Sequence, residues 1–66
     1  MPDMTPVQSS NLAAAGFEDG EVYVTFRSGG TYAYPGTEDD LAALLSAPSP
    51  GKWFAENLKG RSFRRV

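Results

Sequence analysis

The sequence predicts an α+β domain: a small antiparallel β-sheet packed against the two helices that follow it. Three observations carry this reading. A β-branched and aromatic run, Glu21–Arg27, is followed by Ser28-Gly29-Gly30 and a second such run, Thr31–Tyr34. Thr37 then precedes three acids and a Leu41, Leu44, Leu45 face at helical spacing. Finally, Ser49-Pro50 opens and Gly60 closes a segment bearing Trp53, Phe54 and Leu58.

The elements follow in order. Residues 1–6, with Pro2, Asp3 and Pro6, read as a flexible N-terminal arm. A single domain spans 7–63, and 61–66 forms a basic C-terminal tail. Leu12–Ala15, stopped by Gly16, is a short N-terminal edge strand, and Glu18-Asp19-Gly20 is a turn with glycine where positive φ is cheap. The hairpin covers 21–34. A two-residue Gly29-Gly30 loop would set Tyr32 beside Arg27. A three-residue loop with Gly30 left-handed pairs Phe26 with Tyr32 and Val24 with Tyr34. The second is favoured, because it gathers Val22, Val24, Phe26, Tyr32 and Tyr34 on one face and turns Tyr23, Thr25 and Ala33 outward. Pro35-Gly36 ends the hairpin. The first helix, about 38–47, is capped by Thr37, with Glu38, Asp39 and Asp40 favourable to its dipole, and it stops before Pro48. The second, about 50–58, has Ser49 as N-cap, Phe54 and Leu58 stacked four apart, and Gly60 beyond its end.

Composition narrows the function. Sixty-six residues suffice for one core only. At 7.1 kDa the expected folded surface is about 4,100 Å², some 60% of the chain's surface being buried. Such a core is marginal, so a partner or a homodimer would help it. There is no cysteine and no histidine, which removes disulfides, Cys/His zinc sites, cysteine nucleophiles and Ser-His triads. With no acid pair placed for proton transfer either, no catalytic residue, cofactor or metal is expected, and the chain reads as a non-enzyme. No signal-like or membrane-length apolar run occurs, so a cytoplasmic protein with no membrane partner is expected. The formal charge of −2 is uneven: Lys52, Lys59, Arg61, Arg64 and Arg65 crowd the last fifteen residues, while seven of the eight acids precede them.

A resemblance emerges from these residues taken together. Ser9-Ser10-Asn11-Leu12, Gly16-Phe17, Val22-x-Val24-x-Phe26 with Ser28-Gly29-Gly30, and Tyr32-Ala33-Tyr34 are followed by Ala47-Pro48-Ser49-Pro50-Gly51-Lys52-x-Phe54 and Asn57-Leu58-Lys59-Gly60. The chain resembles the KTSC domain, named for its place at the C-terminus of some lysyl-tRNA synthetases and found also in free-standing bacterial and phage-associated proteins. The likeness runs from about Val7 to Phe63. The family pattern covers Tyr32, Tyr34, Ser49, Gly51, Phe54, Lys59 and Gly60, and the synthetase context implies an RNA-associated role. Two departures stand out: Phe17 where a tyrosine is usual, and a connection shortened to Pro35-Gly36.

Candidate contact residues are the bases Arg27, Lys52, Lys59, Arg61, Arg64 and Arg65 for phosphates, with Tyr23 as the exposed aromatic. Trp53 reads as a core anchor or a partner hot spot. Ser49, Gly51 and Lys52 read as a helix start that either caps itself or takes an anion. Ser9, Ser10 and Asn11 read first as local backbone caps, with lining a site as the lesser alternative. Tyr32 and Tyr34 read first as core, their hydroxyls at the rim, with an aromatic stacking platform as the lesser alternative. Glu38, Asp39 and Asp40 splay from a helix start and serve its dipole rather than a metal. The leading expectation is a small RNA- or nucleic-acid-associated binding module. Beside it stand a protein-interaction or phage accessory domain, and a purely structural homodimeric domain.

Overall fold

The computed structural model describes residues 2–66. Its elements are β1 (Thr5–Pro6), β2 (Leu12–Glu18), β3 (Glu21–Phe26), β4 (Thr31–Pro35), α1 (Glu38–Ser46), α2 (Pro50–Asn57) and β5 (Arg64–Arg65). The strands form one antiparallel sheet in the order β1-β2-β3-β4-β5. Both helices lie within two residues of their expected bounds. The surface, 3983 Å², matches the scaling expectation.

The strands are more numerous than the sequence suggested. Thr5–Pro6, inside the segment read as an arm, pairs with Ala15 and Ala14. Pro6 is tolerated there because an edge strand can spare an N–H. β2 is therefore interior, not an edge, and it continues through Gly16 to Glu18. Gly16 is needed for close approach rather than as a stop: a Cβ there would lie 2.5 Å from the Asp3 carbonyl oxygen. A bulge at Ala13 lets Leu12 and Ala15, three residues apart, both face the core. Asp19 (φ 51°) and Gly20 (φ 77°) make a two-residue turn with both residues left-handed, the geometry that suits strand twist.

The second hairpin corrects the expected register while keeping its faces. The loop has three residues, but they are Arg27, Ser28 and Gly29. Phe26 N–H donates to Gly30 O (3.1 Å) and Gly29 N–H to Phe26 O (3.0 Å), with Gly29 and Gly30 at φ 104° and 87°. Val24 therefore opposes Tyr32, and Val22 opposes Tyr34. This is a shift of two positions, which preserves side-chain parity. Val22, Val24 and Tyr34 join Val7, Leu12, Ala15, Leu44, Phe54 and Leu58 in the core, with Phe26, Tyr32, Leu41 and Trp53 packed against it. Leu45, expected on the buried helix face, is exposed.

The opposite face is not open, as the sequence reading required. Gly16, Tyr23, Ala33 and Arg64 align across four strands. Tyr23 is 6% and Ala33 1% exposed. Tyr23 has the two smallest residues of that row as neighbours, and Arg64 stands over its ring, 5.9 Å from the centroid.

Local rules set the helix starts differently. Thr37 Oγ1 accepts from Asp40 N–H (3.2 Å), and Asp40 Oδ2 accepts from Thr37 N–H (3.0 Å), a complete capping box. Ser49 makes no side-chain cap, so α2 begins on Pro50 geometry alone. Among the described residues, no helix is long and apolar enough to cross a membrane.

Candidate functional site

An open cleft of about 730 Å³ lies at the hairpin-tip end of the sheet, between the Arg27–Gly29 loop, the Ser10–Leu12 segment, α2 and Phe63. That volume is in the range of small-ligand sites. Five aromatic rings line it. Phe26 meets Tyr32 and Phe54 edge-on at 5.7 and 5.4 Å, Tyr34 meets Phe54 at 5.2 Å, and Phe63 meets Tyr32 at 5.6 Å. Phe63 also tilts against Tyr34, at 5.8 Å and 38°. The first four contacts are favourable edge-to-face geometries, so the floor is pre-formed. Its mouth remains apolar: Phe63 is 60% exposed and Tyr32 half-buried.

The polar rim comes from local backbone chemistry. Ser9 Oγ accepts from Asn11 N–H (3.2 Å) and Leu12 N–H (3.3 Å), holding a tight turn against α2. Gly51 permits that approach, since a Cβ there would sit 3.1 Å from Ser9 Oγ. Arg27 anchors the same turn: its Nε donates to Ser9 O, and its N–H donates to Asn11 O at 2.9 Å. Lys59 lines the cleft from the C-terminal end of α2. Among the described residues, no Asp or Glu lines the cleft, although the chain has eight acids and a pI near 4.8.

The other bases divide into committed and uncommitted. Arg61 donates to Asp40 Oδ2 (3.0 Å) and Pro35 O (2.9 Å), tying the chain after α2 to the start of α1. The backbone N–H of Thr37, and then Arg61, hold the Asp40 carboxyl below the usual aspartate range. Arg64 grips Glu21 in a two-pronged pair (2.7 and 2.9 Å) and donates to the Tyr23 hydroxyl at 3.0 Å. That pair lowers the Glu21 carboxyl and raises the Arg64 guanidinium. Burial, and then the Tyr32 phenol, raise the Tyr34 phenol.

The expected contact residues are thus scattered. Arg27 and Lys59 converge on the cleft. Tyr23, expected as an exposed stacking aromatic, is instead buried beneath Arg64 on the opposite face. Lys52 is exposed on α2 outside the cleft, and Trp53 is half-buried against the core. Of Ser49, Gly51 and Lys52, only Gly51 lines the cleft. Arg65 opposes Tyr32 across the β4–β5 pair and is exposed. Ser10 and Asn11, read first as local caps and second as site-lining residues, do line the cleft, and Ser28 and Phe63, not expected there, line it as well. The available signal was the surplus of aromatics on one face, more than two short helices can cover.

A family model for the KTSC domain matches residues 8–63. No curated protein matches the chain. Among solved structures, the crystal structure of a KTSC domain protein from Yersinia pestis is similar at 31% identity, with a TM-score of 0.89 over 100% of this chain and 99% of that one. The α+β architecture, with its five-stranded sheet and two helices, is therefore the family fold, and the chain belongs to the KTSC domain family.

Proposed function

We propose that this domain is a non-enzymatic binding module that holds a short single-stranded nucleic acid, RNA in the first instance, in the aromatic cleft. The observation that carries the reading is the cleft's electrostatic exception. In an acidic chain, its lining among the described residues contains two cations, Arg27 and Lys59, and no carboxylate. Stacking surface flanked by cations is the pairing that sequence-tolerant single-strand binders use. Tyr32 and Phe63 supply the exposed rings, and Arg27 and Lys59 reach phosphates. Arg61 and Arg64 are excluded from that role by their carboxylate partners. A cytoplasmic location suits such a module, and a chain without cysteine is at home there.

The test is a fluorescence-anisotropy titration of a labelled oligouridylate at low salt. Phe63→Ala should weaken binding roughly 5- to 150-fold, the span for losing one stacked base. Arg64→Ala, remote from the cleft, should leave it within about twofold, since its guanidinium already serves Glu21. Absence of binding by the unaltered domain at low salt would end this reading and favour a protein partner on the same exposed rings.

A further inference from the structure

We infer that Tyr34 is the base-reading residue of the cleft, its phenol hydroxyl hydrogen-bonding the polar edge of a nucleobase that stacks on Tyr32 and Phe63. The inference rests on the nucleic-acid reading above and narrows it to one atom.

Tyr34 is only 5% exposed, yet its hydroxyl has no hydrogen-bond partner among the described residues, and its oxygen is not sealed from solvent. Tyr34 lines the cleft, and its ring packs against Phe54 and Phe63, which line it too; we place the hydroxyl on that side. The ring is wedged between Phe54 and Phe63 at 5.2 and 5.8 Å, so the hydroxyl cannot swing toward a protein partner. Tyr23, the other buried tyrosine, shows the contrast: Arg64 and Glu21 satisfy its hydroxyl. A largely buried hydroxyl with no internal partner must use water or whatever enters the cleft, and leaving it unpaired is costly. A base edge can replace the water without loss, whereas an apolar edge cannot.

Burial raises the Tyr34 phenol above its ordinary value, so it stays protonated near neutral pH, able both to donate and to accept. All four bases present a matching edge. The selectivity expected is therefore for polar-edged bases over apolar isosteres, not for one base over another. Arg27 and Lys59 at the rim set the strand so that a base, rather than a phosphate, points inward.

The test is a two-by-two comparison. Unaltered protein and Tyr34→Phe are each titrated with oligouridylate, and with the same strand carrying difluorobenzene ribonucleoside, an apolar uridine isostere. The unaltered protein should bind the isostere strand roughly 3- to 10-fold more weakly, the value of one neutral hydrogen bond. Tyr34→Phe should lose a similar factor toward oligouridylate and discriminate no longer. Tyr23→Phe, which removes a hydroxyl on the opposite face of the sheet, should keep the discrimination, and the urea midpoint of Tyr34→Phe reports separately whether that variant is folded. If Tyr34→Phe binds oligouridylate as the unaltered protein does, or still discriminates, the assignment to Tyr34 is overturned while the nucleic-acid reading stands. If the unaltered protein binds neither strand, both fall together.

Discussion

Raising salt from about 50 to about 200 mM should weaken oligouridylate binding about 7-fold, and this modest figure follows from counting the cations that line the cleft. Each phosphate neutralised on a single strand contributes about −0.7 to the slope of log K against log salt. Arg27 and Lys59 are the two cations lining the cleft, so the slope should be about −1.4. Arg65, exposed on the same face opposite Tyr32, would take it to about −2.1, or about 18-fold, if it also reaches the strand. Had all six bases of the chain met phosphates, the slope would be about −4.2 and the loss several hundredfold. Anisotropy titrations at four or five salt concentrations separate these cases. Lys59→Ala and Arg27→Ala should each flatten the slope by about 0.7, while Arg61→Ala and Arg64→Ala should leave it unchanged. A slope near −4, or one insensitive to Arg27 and Lys59 together, would refute the assignment of phosphate contact to the cleft.

Two further outcomes concern the scaffold. Gly16→Ala should push β1 off the sheet, because the new Cβ meets the Asp3 carbonyl at 2.5 Å; faster hydrogen exchange at the Val7 amide, which donates to Ala13 O at 3.0 Å, is the readout, and unchanged exchange would show that the backbone gives way at no cost. Stability should also fall on the acid side. The Asp40 and Glu21 carboxyls are held below their ordinary values, so their contribution is complete above the unfolded values near pH 4 and is lost as pH falls through the lowered folded ones. Urea midpoints measured between about pH 6 and pH 2 should drop across that lower window, and Asp40→Asn should lessen the drop. An Asp40→Asn profile parallel to that of the unaltered protein would contradict the assigned role of that pair.

Elements governed by local chemistry were legible in the sequence. Thr37 with Asp40 three residues on, Pro48 after the first helix and Pro50 at the start of the second fix helix ends within the chain itself. Asp19-Gly20 announces its turn for the same reason. The loop at Arg27–Gly29 was harder, because adjacent glycines at 29 and 30 both accept positive φ and parity alone does not choose between registers two apart. β1 and β5 were illegible: two-residue strands carry no period, and their pairing partners are distant in sequence. Tyr23 was misplaced by the same limit. Its cover, Arg64, arrives from 41 residues away, and alternation on a strand says nothing of what the tail lays over it. The cleft was half legible: the aromatic surplus was visible, while the absence of acids around it depends on where Asp40 and Glu21 are held.

Why the cleft stays open follows from coverage and from how the short connection is clamped. Five strands spaced about 4.8 Å apart make a sheet some 20 Å wide, while helices of nine and eight residues are only about 13 and 12 Å long. Complete cover is out of reach, and Pro35-Gly36 decides which end is left bare. Gly36 N–H bonds to Gly20 O at 3.0 Å, and a Cβ at Gly36 would meet Val22, Asp40 and Arg61 within 3.2 Å. The start of α1 is therefore pinned at the Gly20 end of the sheet, away from the Arg27–Gly29 tip. Only α2 and Phe63 remain to shield Phe26, Tyr32 and Tyr34, and Phe63 is itself mostly exposed. A longer connection would let α1 slide toward the tip and bury those rings. On this account the short connection between β4 and α1 keeps the aromatic floor accessible, so inserting residues after Gly36 should diminish oligouridylate binding even where the core remains folded.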